Sequence, residues 1–155
     1  MKFARADLIG LVGVLLLGLS AYAEDHKIEN VTEAKWGAAP PMLPAGAKME
    51  VLQGDPGGDS LYTIRLKFPA NYKIPAHSHP KDEQVTVLSG SLYIGMGDKL
   101  DAKSAKALTV GGFGLMPANA NHFAFAKKET VILLHGMGPV EFKYVDPADD
   151  PRNKM

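Results

Sequence analysis

Short stretches of alternating character dominate the chain from Met49 onward. In "LYTIRLKF" (61–68), Ile64, Leu66 and Phe68 share one face and Thr63, Arg65 and Lys67 the other. This is the period of a strand with one buried side. "MEVL" (49–52), "QVTVLS" (84–89), "LYIGMG" (92–97), "ALTV" (107–110), "FGLM" (113–116), "HFAFA" (122–126), "TVILLHGM" (130–137) and "VEFKYV" (140–145) continue the theme. Pro and Gly punctuate the junctions, as in "QGDPGGD" (53–59) and at Ser89-Gly90. Only "LDAKSAKA" (100–107) has the makings of a helical turn. Many short strands at regular spacing predict an all-β sandwich or barrel over residues 48–145.

The two ends read differently. Lys2 and Arg5 precede the apolar run "LIGLVGVLLLGLS" (8–20), and "AYA" closes at Ala23. A basic start, a short apolar stretch and small residues at an A-x-A site predict a secretory signal peptide over residues 1–23. The run falls short of the roughly 20 apolar residues that cross a bilayer. The expectation is a periplasmic or secreted product starting at Glu24, with no membrane attachment after cleavage. Residues 24–47 include "WGAAPPMLPAGA" (36–47), where Pro and Gly prevent a helix from propagating. They predict an extended N-terminal arm with Trp36 as a packing anchor. "DPADDPRNKM" (146–155) is charged and Pro-broken, and predicts a solvated tail.

Charge and composition narrow the chemistry. The chain has 17 basic and 17 acidic residues. Losing Lys2, Arg5 and Asp7 with the leader would leave 17 less two against 17 less one, a net charge near −1. With no basic stripe, nucleic acid and anionic membranes are not expected partners. There is no cysteine, which excludes a disulfide framework, a thiolate nucleophile and thiolate metal ligands. The chemistry left belongs to histidine, carboxylates, tyrosine, arginine or a bound metal.

"PAHSHPKDE" (75–83) concentrates such groups. Residues two apart in a strand face the same way, about 6.6 Å apart along the chain, so His77 and His79 can converge on one ion. Pro80 ends the strand, and "PKD" can turn the chain so that Glu83 returns to the same point. A bare His-x-His is also common on exposed strands. The candidate fourth ligand is His122, which follows the Gly-rich "GGFGLMPANAN" (111–121) and opens an alternating strand. His122, Ala124 and Ala126 share one face, and Phe123 and Phe125 the other.

These segments resemble the two motifs of the cupin superfamily of small β-barrels. His77, His79, Glu83 and Gly90 match the first motif in step, and Gly111, Pro117 and His122 match the second. Asn71 and Asn119 stand where the family has glycines, and Ala126 where it has an asparagine. Asn tolerates positive φ better than most residues, so the Asn119 departure is mild. The resemblance covers residues 60–137 and implies a single cupin jelly-roll barrel. It implies that His77, His79, Glu83 and His122 hold one divalent transition metal, six-coordinate with two open positions. Nitrogen and oxygen ligands suit Fe, Mn, Ni, Cu, Co or Zn alike. Activities among such proteins range from dioxygenases and lyases to non-catalytic binding, so two functions stand. One is an exported metal-dependent enzyme of dioxygenase or lyase type acting on a small oxygenated molecule. The other is a metal- or ligand-binding module in a sensing or stress pathway.

Further residues carry paired readings. His135 in "ILLHGMG" (132–138) is either a catalytic imidazole reaching into the barrel beside the strand of His122, or a strand histidine satisfied by backbone. Arg65 is either a clamp for a substrate carboxylate or a surface ion-pair partner. Tyr62 and Tyr93 read as core aromatics or pocket walls, and Met96, Met116 and Met137 as barrel filling. Asp82 is expected to point to solvent. Phe123 and Phe125, facing away from the ligands, together with the apolar arm, point to a homodimer.

Overall fold

The computed structural model describes residues 27–154; the expected leader (1–23) lies outside them. Among these described residues, eleven strands form two antiparallel sheets. They are β1 (Gly37–Ala38), β2 (Lys48–Gln53), β3 (Leu61–Phe68), β4 (Lys73–Ser78), β5 (Glu83–Ser89), β6 (Ser91–Met96), β7 (Lys106–Thr109), β8 (Phe113–Met116), β9 (His122–Ala126), β10 (Thr130–Met137) and β11 (Lys143–Tyr144). One sheet runs β1-β2-β3-β10-β5-β8 and the other β11-β4-β9-β6-β7. The architecture is a jelly roll. No α-helix occurs among the described residues, and "LDAKSAKA" makes a turn leading into β7.

The alternation read from the sequence sets the interior. Ile64, Leu66 and Phe68 on β3, Val85 and Val87 on β5, and Ile132 and Leu134 on β10 meet Leu92, Ala124, Ala126 and Ile74 from the facing sheet. Burying these branched side chains on both inner faces is what closes the barrel. Cross-strand register agrees, with Ile132 opposite Leu66 and Leu134 opposite Ile64.

Turn chemistry holds the strand ends. Gly90 joins β5 to β6 at φ +75, and an added Cβ would sit 2.5 Å from the Glu129 carbonyl oxygen. Asn71 and Asn119, the two asparagines in motif glycine positions, both take positive φ, 63° and 61°. The backbone demand survives the change of residue, because Asn is among the few side chains that tolerate that region.

The arm is bound more firmly than an extended tether. β1 pairs with β2, Gly37 opposite Met49. Arg65 lies beneath the arm rather than at the surface. It is buried and donates to Glu50 at 3.0 Å, with the Glu29 and Asn30 carbonyls beside it. Its place on the outer face removes it as a clamp for an interior substrate. Trp36 is half-buried, with the Lys67 ammonium 4.9 Å over its ring. The tail is mostly exposed but forms two short 3₁₀ turns, and Arg152 donates to the Phe142 carbonyl at 3.0 Å.

Candidate metal centre

Two strand ends deliver the histidines. His77 is the penultimate residue of β4, His79 follows that strand, and His122 opens β9 directly opposite His77. All three are buried, and one ring nitrogen from each lies within 4.8 Å of the others. Glu83, the first residue of β5, is buried too, with Oε1 3.5 Å from His79 Nε2. The loops around them are tied together. The Asn119 N–H donates to the His79 carbonyl at 2.7 Å. The Ala118 N–H donates to Asp82 Oδ1 at 2.8 Å, so Asp82 fastens the loop before His122 instead of facing only water.

Each imidazole is oriented by a backbone carbonyl at Nδ1. The partners are Pro75 O for His77 (2.7 Å), Glu141 O for His79 (2.7 Å) and Ala120 O for His122 (3.0 Å). A carbonyl only accepts, so each Nδ1 carries the proton and each Nε2 keeps a lone pair. His79 Nε2 is buried without a hydrogen-bond partner. A neutral imidazole held at Nδ1 with its other nitrogen unpaired is the arrangement that metal-ligating histidines adopt. The residues fit a divalent metal.

Electrostatics agree. Burial, then the neighbouring His122 and His79, hold His77 well below the usual histidine range. Burial likewise lowers His79 and His122. Burial pushes the Glu83 carboxyl up to about 7, against a smaller opposing pull from His122. Imidazoles that resist protonation suit ligation, and a buried carboxyl so displaced is one that an adjacent cation would favour in its charged form.

Phe142 completes the enclosure. It stacks on His77 (centroids 4.5 Å, planes 12° apart) and meets His79 edge-on at 4.6 Å. It comes from the segment after β10 that also supplies the Glu141 carbonyl. In the sequence "VEFKYV" shows only the pattern of a last strand, because no local spacing links Phe142 to histidines far back in the chain. Beside the cluster lies a cavity of about 410 Å³, walled by Met42, Leu43, Met49, Ile64, Val140 and Phe142, with Glu83 at its inner end. One wall is therefore the arm, which the sequence placed outside the barrel. The Tyr144 hydroxyl donates to the Met42 carbonyl at 2.7 Å and holds that wall in place.

His135 is not brought to the cluster. Its strand lies between β3 and β5, whereas β9 belongs to the other sheet, so the turn at 127–129 crosses between sheets. Ile132 and Leu134 take the inner face, leaving His135 outside between Thr63 and Gln84, with Nε2 3.0 Å from Gln84 Oε1. The interior imidazole expected there is corrected by that alternation. Phe123 and Phe125 are buried within the chain rather than available for pairing. Phe123 fills the space that Gly95 leaves open, and Phe125 stacks on Tyr93 at 4.8 Å. Tyr93 is thus an outer-face residue. Tyr62 is buried, its phenol raised by burial and then by the Glu83 charge. Met116 fills the core, but Met96 and Met137 are exposed.

Comparison with known proteins places this geometry. The family model described as the ChrR cupin-like domain matches residues 24–141. Among solved structures, the polyketide cyclase RemF from Streptomyces resistomycificus superposes with a TM-score of 0.66 at 18% identity, over 84% of this chain and 94% of its own. An RmlC-like cupin from Shewanella frigidimarina gives 0.56 at 15% identity, over 72% of this chain and 90% of that one. The Rhodobacter sphaeroides SigE complex with the anti-sigma ChrR gives 0.51 at 16% identity, over 69% of this chain and 50% of the other. No curated protein matches the chain significantly. The match across most of the chain, on a jelly roll with its histidines gathered at one end, makes this protein a member of the cupin superfamily, in the ChrR cupin-like domain family.

Proposed function

We propose that this chain is an exported, mononuclear metal-dependent enzyme acting on a small oxygenated molecule. His77, His79, Glu83 and His122 are its ligands. The observation that carries the reading is the 410 Å³ cavity opening onto Glu83 beside three correctly oriented imidazoles. That volume lies within the ~300–1,000 Å³ of small-molecule sites. A divalent ion of the Fe, Mn, Ni, Cu, Co or Zn group would supply a Lewis acid with positions open to an oxygen ligand. The chain's own part is to fix the imidazoles through Nδ1, to exclude water with Phe142 and Leu134, and to seat the substrate against the arm. Export rests on the leader pattern at residues 1–23. A homodimer belongs to the same reading. With Phe123 and Phe125 covered, the exposed Phe113 and Leu115 on edge strand β8 offer an apolar pair for it.

A second reading, a non-catalytic metal- or ligand-binding module in a sensing or stress pathway, is favoured by the ChrR description of the matching family. The test is elemental analysis of protein exported through its own leader, followed by metal-dependent O₂ uptake or turnover with small enolisable and oxygenated compounds. A stoichiometric metal with turnover supports the enzyme. A stoichiometric metal with ligand binding and no turnover supports the module. Absence of bound transition metal overturns both as metal proteins.

A further inference from the structure

The cavity has a polarity gradient that specifies its occupant. Its walls are the side chains of Met42, Leu43, Met49, Ile64, Val140 and Phe142, and no Lys, Arg or His lines it among the described residues. Two carboxylates reach it. Asp55 lies at the exposed rim and already accepts from the Gly57 N–H at 2.8 Å within its own turn. Glu83 lies at the inner end, buried, beside His79. Glu83, Leu134 and Phe142 also wall the smaller interior space lined by His77 and His122, so the cavity and the histidine cluster meet at these shared side chains.

On the proposed metal reading, on which this inference rests, a divalent ion with one carboxylate ligand keeps a net charge near +1. That is then the only positive charge facing the cavity. A ligand can bring one oxygenated, neutral or monoanionic head to that end. Its remainder must be apolar, because a second charge would be desolvated against methionine, leucine and valine with nothing to pair it. The arm supplies Met42 and Leu43 to that apolar region, so the arm determines how long or bulky a body the site accepts.

We infer that the cavity binds an amphiphile: a single metal-directed oxygen head with a hydrocarbon or aromatic body seated on the N-terminal arm.

The experiment titrates the Zn²⁺-loaded mature protein calorimetrically with n-alkanoates of increasing length and with the α,ω-dicarboxylates of the same lengths. The metal-free protein is titrated with the matching 1-alkanols. Affinity for the alkanoates should rise about fourfold per methylene until the cavity is full, the ~0.8 kcal/mol of a buried CH₂ converted at room temperature. The dicarboxylates should bind at least tenfold more weakly than alkanoates of equal length. Met42→Asp should remove the length dependence without changing metal content. Met42→Ala, a milder change, should weaken only the longer alkanoates. A flat length series, equal binding of dicarboxylates, or Met42 variants identical to wild type would overturn the inference. The alkanol series separates it from the metal reading. A length gain in protein that takes up no metal upholds the apolar body site while the metal centre fails. A bound metal with no length gain in either series does the reverse.

Discussion

The barrel mouth and the outer face of the six-stranded sheet both carry histidine on a strand, with opposite results. At the mouth, His77, His79 and His122 each give Nδ1 to a backbone carbonyl, their rings are buried together, and His79 Nε2 has no partner. On the outer face, His135 uses Nε2 on the Gln84 side chain and is half-exposed. Residue type does not separate the two. What separates them is which ring nitrogen is committed, and whether the ring is buried beside others of its kind. A histidine reads as a ligand when Nδ1 is fixed by backbone and the ring lies in such a buried cluster.

Loss of a mouth histidine should be the most damaging change. His122→Ala is expected to lower metal affinity by more than the ~10–100-fold typical of removing an outer partner, and to lower the melting temperature of the metal-loaded protein. Elemental analysis and calorimetry check this, and full metal occupancy would remove His122 from the ligand set.

The outer face has its own sensitive point in the buried Arg65–Glu50 pair, which should matter for stability and not for metal. Arg65→Ala strands Glu50 without its partner and should cost about 3–5 kcal/mol, read by urea unfolding, with metal content unchanged. The same pair predicts a pH dependence. Burial works to raise the Glu50 carboxyl, but the Lys35 N–H, the Glu29 carboxyl contact and Arg65 outweigh it and leave it below its ordinary 4.5. A lowered folded-state value means the unfolded chain takes up the proton first. The stabilisation is therefore complete above about 4.5 and is lost as pH falls below that through the folded-state value. Unfolding curves between neutral pH and pH 3 should show the loss in wild type, and a smaller one in Arg65→Ala.

Asn119→Ala should cost about 1 kcal/mol through its positive φ, whereas Asn119→Gly should be neutral or slightly stabilising. Thermal melts of the two variants decide whether the loop needs the conformation or the amide. The mildest change is His135→Gln. It should leave metal content intact and shift stability by no more than about 0.5 kcal/mol, as for solvent-reached substitutions outside any buried ion pair. Metal loss in His135→Gln would erase the contrast between the two histidine settings.

Much of the architecture was legible because period-2 patterning is local: Ile64, Leu66 and Phe68 identified the inner face of β3 from eight consecutive residues. The histidine cluster was legible for a related reason, since its spacing within each segment is short and matches a known pair of motifs. The errors came where alternation leaves two choices. Val131, Leu133 and His135 do share a parity, but the sequence does not say which parity faces the core, and Ile132 with Leu134 took it. Phe123 and Phe125 do face away from the histidine cluster, yet their cover comes from Tyr93, Leu100 and Ala105, which periodicity does not connect to them. The cavity was invisible for the same reason. Met42 and Phe142 meet only after the chain has wrapped around the barrel.

The carbonyls that align the imidazoles differ in how far away they sit in the chain. His77 and His122 are oriented by residues two positions earlier, so those rings are set as soon as their own turns form. His79 waits for Glu141, 62 residues later. The three rings are therefore aligned together only once the segment after β10 has docked on the barrel. An ion meeting the chain before that contact would find at most two rings so aligned. The surroundings in which the segment after β10 docks would then decide which ion is held.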